Sequence, residues 1–130
     1  FKNNQQSMIK INNEFIEYQE KIFQKKLIFK KGDNLEKKLL EINIKNSELK
    51  NIKNLINSSL NPKKIKVGTA LLVYIKEKKI IAITLPLNEE NILFIYKVKK
   101  GYKSKVINAL DLEDTLASLD KDIEYLITTH

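Results

Sequence analysis

The chain of 130 residues has no cysteine, no arginine and no tryptophan, and its one histidine is His130, the last residue. Without cysteine there is no disulfide, no thiolate metal site and no cysteine nucleophile. The compartment stays open, because a periplasmic domain with a real core needs no disulfide. A Ser/His/Asp triad fails on the position of the only histidine, and a zinc site that needs two or more histidine ligands cannot be built from one. The three glycines, Gly32, Gly68 and Gly101, stand alone, so no glycine-rich phosphate loop exists. Proline occurs at positions 62 and 86 only, and aromatic residues make up 8% of the chain. No apolar run approaches the roughly 18 residues of a membrane span.

What is present is a globular composition. Apolar residues reach 42%, enough for a core and too many for a disordered chain, and the length fits one domain or two small ones sharing a core. The net charge of +8 is unevenly spread. Residues 1–110 carry 23 lysines against 10 acids, whereas residues 111–130 carry one lysine against six acids. Lysine, asparagine and isoleucine dominate together, as codon bias in an AT-rich genome produces. The other reading is a functional basic surface, suited to an anionic wall polymer, membrane headgroups or an acidic partner face.

Hydrophobic spacing gives the element order. Met8, Ile11, Phe15, Tyr18 and Ile22 form a helical stripe over a lead-in of residues 1–25, either packed on the domain or serving as a stalk from an upstream membrane anchor. Residues 26–31 alternate around Leu27 and Phe29 as a short strand. Gly32 supplies a turn, and Asp33 or Asn34 caps a helix whose stripe is Leu35, Leu39, Leu40 and Ile42. Asn46 or Ser47 caps a second helix with Leu49, Ile52, Leu55, Ile56 and Leu60 inward, stopped by Asn61-Pro62. Val67-Gly68-Thr69 turns into a strand over 70–75. A polar hairpin at 76–79, a strand over 80–85, a loop at 86–91, a half-buried strand carrying Ile92, Phe94, Tyr96 and Val98, a turn at 99–102 and a returning strand over 103–109 make a β-meander. From Asp111, a plausible N-cap, Leu112, Leu116, Leu119, Ile123 and Leu126 predict an acidic C-terminal helix, with strand plus loop as the alternative.

Little of this carries chemistry. Glu89-Glu90 and the cluster Asp111, Glu113 and Asp114 read as solvated acids, since glycosidase-type work needs two carboxyls held across a cleft with one pKa raised by burial. Lys99-Lys100-Gly101-Tyr102-Lys103 joins base with aromatic, as a single-strand nucleic-acid binder does. Against that stands the missing arginine, the main source of bidentate base and phosphate recognition.

The opening Leu27-Ile28-Phe29-Lys30-Lys31-Gly32-Asp33-Asn34-Leu35 and the closing Ile65-Lys66-Val67-Gly68-Thr69-Ala70-Leu71-Leu72-Val73 frame two helical patterns. This layout resembles the LysM-type wall-associated module, whose opening reads apolar-x-apolar-x-x-Gly-Asp-Thr-Leu. It looks still more like the LysM-like region N-terminal to the catalytic domain in Gram-negative lysostaphin-type (LytM) zinc murein endopeptidases. The resemblance covers residues 27–75, and the meander to about residue 107 fits the segment that links that module to the catalytic domain. Asn34 stands where the family has Thr, and it can still cap the helix.

The resemblance implies an α+β fold: a βααβ module over 26–76, then a β-meander and acidic segment over 77–130, with flanking helices. It implies a glycan- or partner-contact surface at the two turns, Gly32, Asp33, Asn34, Lys66, Gly68 and Thr69. Lys30, Lys31, Lys63, Lys64 and Lys66 flank these turns, and no Trp or Tyr lies near them to stack on a sugar. The implied function is that of a non-catalytic, wall-targeting or regulatory region of a murein DD-endopeptidase. Its partner would be peptidoglycan or the protein's own catalytic domain, with zinc confined to a catalytic domain downstream and the location periplasmic or envelope-associated. No cofactor is expected in this chain and no nucleic acid as partner. The alternatives are a stand-alone envelope interaction or scaffold module, with an envelope protein as partner, and a basic nucleic-acid-binding domain.

Overall fold

Residues with branched or aromatic side chains set the sheet. In the computed structural model, which describes residues 22–119, the first strand, β1, runs Phe23–Ile28. It starts ahead of the anticipated residue 26, so residues 23–25 of the anticipated helical lead-in are strand. The rest of that lead-in, save Ile22, lies outside the described residues. Helix α1 follows at Leu35–Leu40 and helix α2 at Asn46–Asn57. Strands β2 at Ala70–Lys76, β3 at Lys79–Pro86, β4 at Asn91–Lys97 and β5 at Tyr102–Asn108 complete the sheet. Residues 112–119 form α3. The described residues thus make an α+β unit with one five-stranded antiparallel sheet in the order β1-β2-β3-β4-β5.

Strand alternation sends side chains to two faces, and both faces are covered. On one face Leu71, Val73, Ile83, Leu85, Leu93 and Ile95 pack against Leu35, Leu39, Ile52 and Ile56 of α1 and α2. On the other, Tyr74, Ile81, Ala82 and Phe94 form a second core with Leu119, edged by Leu112 and Leu116 of α3. A bulge links the two. Tyr74 pairs with Ala82 but Ile75 pairs with Ile80, leaving Ile81 as the extra residue. The extra residue lets Ile80 face the first core while Ile81 and Ala82 both face the second.

Several local expectations are corrected. Leu40, placed in the α1 stripe, is 67% exposed, and Lys38 is buried in its stead. Helix α1 ends at Leu40, so Ile42 reaches the core from beyond it. The N-cap of α2 is Lys45, with no side-chain cap, rather than Asn46 or Ser47. That helix ends at Asn57, ahead of Pro62, which instead opens a 3-10 turn, Pro62–Lys64, capped by the Asn61 side chain. The acidic helix is introduced by a 3-10 turn, Ala109–Asp111, whose cap is the Asn108 side chain, and Asp111 is the last residue of that turn, directly before the helix. Strand β4 is buried on both faces at Leu93, Phe94 and Ile95 rather than half-buried, because α3 closes the second face. Ile123 and Leu126 lie outside the described residues, as does His130.

Candidate functional site

Antiparallel pairing of β1 with β2 sets the two anticipated turns side by side. Ile28 pairs with Ala70, so the chain leaving β1 runs directly beside the chain entering β2. Phe29 N–H donates to the Thr69 carbonyl (2.9 Å), and Gly68 N–H donates to the Phe29 carbonyl (2.8 Å). Gly32 and Gly68 both hold positive φ, +88° and +94°, where a side chain is strained. A Cβ at either would meet nothing within 4 Å, so both backbones face open space.

The six anticipated contact residues then divide. Asp33 turns inward: its Oδ2 accepts the Lys30 N–H (2.8 Å) and the Lys38 ammonium (2.9 Å). The Lys30 amide, and then Lys38, hold its carboxyl below the usual carboxylate range. Hydrogen bonds to Asp33 and then to Glu41 (3.0 Å) raise the pKa of Lys38. Asn34 spends its Oδ1 on the Lys37 N–H (2.8 Å) as the α1 cap. These two residues build the turn; what the turn offers outward is backbone and a lysine rim. Lys30, Lys31, Lys63, Lys64 and Lys66 are all exposed around it.

Lys66 and Thr69 do more than flank a turn. With Asn61, Ile65, Pro86 and Leu87 they line a groove of about 400 Å³ between the α2–β2 connection and the β3–β4 loop. Asn88 Oδ1 accepts the N–H groups of Glu90 (2.9 Å) and Asn91 (2.8 Å), which holds that loop in shape. Gly32, Asp33 and Asn34 are not part of this groove. In the sequence the β3–β4 loop reads as a connection bearing the solvated acids Glu89 and Glu90, and Glu89 lines the groove. The loop becomes a wall because β2 and β3 are neighbours, a fact of sheet order.

The opposite end of the sheet carries the hairpin and turn lysines. There Tyr102, the aromatic of the basic 99–103 stretch, is 5% exposed. Its hydroxyl donates to the Ile80 carbonyl (2.8 Å), and its ring lies 5.0 Å from the Lys97 ammonium. Burial, and then the charge of Glu48, push its pKa above the ordinary tyrosine value. A ring so placed is not available to stack on a base.

Among the described residues no three His, Cys, Asp or Glu side chains converge as a metal site, and no helix is long and apolar enough to cross a membrane. Comparison with protein-family models, curated proteins and solved structures returned no match, so the reading of this site rests on its own geometry and chemistry.

Proposed function

We propose that the chain is a non-catalytic wall-targeting or regulatory region of a lysostaphin-type murein endopeptidase in the cell envelope, with a LysM-like module over 26–76 and the two-turn end as its contact surface. The observation that carries this reading is the bridge between the turns. Strand, Gly-Asp turn, paired helices, Gly turn and strand follow one another in sequence, and the bonds from Phe29 to Gly68 and Thr69 join both turns into one surface. Open, positive-φ glycine backbone and a groove lined by the amides of Asn61 and Asn88 and by Lys64 and Lys66, with Glu89 as the one acid in its lining, suit contact with an extended, acylated and partly anionic polymer. The zinc chemistry of such an enzyme requires histidines that this chain does not have, so no catalytic step runs through it.

The test is co-sedimentation of the folded protein with purified peptidoglycan sacculi at low and moderate salt. Wall targeting through this end requires binding that survives moderate salt and falls roughly fivefold in the double variant Lys66→Gln, Thr69→Val, the scale of about one lost polar contact. Failure of the folded protein to sediment at either salt overturns wall contact and leaves docking on a protein partner, first of all a catalytic domain.

A further inference from the structure

The end of the sheet remote from the two turns holds a second concavity, of about 470 Å³, between the start of α2, the β2–β3 hairpin and the end of β4. Lys45, Lys78, Lys79 and Lys97 line it, with Glu48 as the only acid in the lining. Glu48 is already paired with Lys97 (3.3 Å). Lys45, Lys78 and Lys79 form no ion pair with any described acid. The concavity therefore carries a surplus of three positive charges, and bringing lysines together without a counter-charge is unfavourable until an anion fills the space.

Its floor is fixed. Tyr102 is held through its hydroxyl on the Ile80 carbonyl and through its N–H on Asn51 Oδ1 (2.7 Å), and Lys97 lies over its ring. The rim is set at a cost in backbone conformation. Glu77 and Lys78 occupy the hairpin loop at φ +51° and +67°, a pair of positions that favour Asn-Gly. Lysine at the second of them places a charge at the mouth against local preference, and such departures cluster at functional sites.

We propose that this concavity binds a phosphoryl group, with Lys45, Lys78 and Lys79 as its charge donors. A lysine ammonium is a point charge with three donors that can meet a tetrahedral dianion from several sides, whereas planar, bidentate carboxylate recognition is the province of arginine, which the chain does not contain. A phosphate dianion also matches most of the charge surplus. The inference is independent of the wall reading, since it concerns other residues at the other end of the sheet.

The test uses the full chain, ¹⁵N-labelled, titrated with inorganic phosphate and separately with acetate at matched ionic strength. Phosphate should shift amides at 43–48, 78–80, 97 and 102, and acetate should not. Lys78→Gly removes one charge while relieving the positive-φ strain, so it stays folded; it should weaken phosphate binding about threefold, the worth of one exposed charge. The double variant Lys64→Ala, Lys66→Ala at the other end should leave it unchanged. A second arm adds vesicles of phosphatidic acid in phosphatidylcholine. Co-sedimentation lost in Lys78→Gly identifies a lipid headgroup as the source, and response to soluble phosphate alone identifies a soluble phosphoryl ligand. Equal response to acetate, shifts as large around 63–66, or no shift at all overturns the proposal.

Discussion

Lys38 is buried, and it is tolerated there because two carboxylates meet it, Asp33 at 2.9 Å and Glu41 at 3.0 Å. The pair with Asp33 ties the Gly32 turn to the first helix, so the shape of the contact surface depends on protonation. Asp33 has a folded pKa below its ordinary value. Its contribution to stability is therefore complete above the unfolded pKa, about 3.9, and is lost as pH falls through the folded value. Lys38 has a folded pKa above its ordinary value. Its contribution is complete below the unfolded pKa, about 10.4, and is lost as pH rises through the folded value. Melting curves should thus be flat between about pH 5 and 9 as far as this pair is concerned and fall on either side. Asp33→Asn should melt lower at neutral pH and lose part of the acid-side fall; an acid limb as steep as that of the parent chain would remove Asp33 from the account.

At the scale of elements, the turns differ in what holds them. Gly32 and Gly68 need positive φ and nothing else, because a Cβ there meets open space. Gly101, at φ +83°, is confined as well: a Cβ would lie 2.8 Å from Asn51 Oδ1, the atom that accepts the Tyr102 N–H. Alanine at 32 should cost about 1 kcal/mol, the backbone strain alone. Alanine at 101 should cost about 2 kcal/mol or more, since it also displaces the α2–β5 hydrogen bond. Urea denaturation of the two variants gives the order directly, and equal losses would mean that Asn51 yields without consequence. All three glycines were legible as turns from their positions between apolar runs. The clamp of Asn51 on Gly101 was not, because those residues are 50 positions apart in sequence and meet only once α2 lies beside β5.

At the scale of the whole molecule, one sheet serves two cores. Leu93 and Ile95 face α1 and α2, while Phe94 between them faces α3. Sharing a strand couples the layers. Ile52→Ala in the first core and Leu119→Ala in the second should each cost about 2–4 kcal/mol. Each should also leave a single transition by far-UV circular dichroism and by tyrosine signal. Separate transitions in Leu119→Ala would show that α3 is an independent layer.

Period and punctuation in the sequence determined a good deal: the βααβ order, the meander after it, the helical stripe of Leu112, Leu116 and Leu119, and the turn status of the two anticipated sites. These follow from local backbone preference and from which face of an element must leave water. Only the tertiary structure decided that β4 is covered on both sides and that Leu40 is exposed while Lys38 is buried. It also brought Lys66 and Thr69 together with the β3–β4 loop, and gathered Lys45, Lys78, Lys79 and Lys97 around Tyr102. Each of these depends on which elements become neighbours across the sheet, and that is set by the packing of distant apolar faces rather than by any residue's local preference.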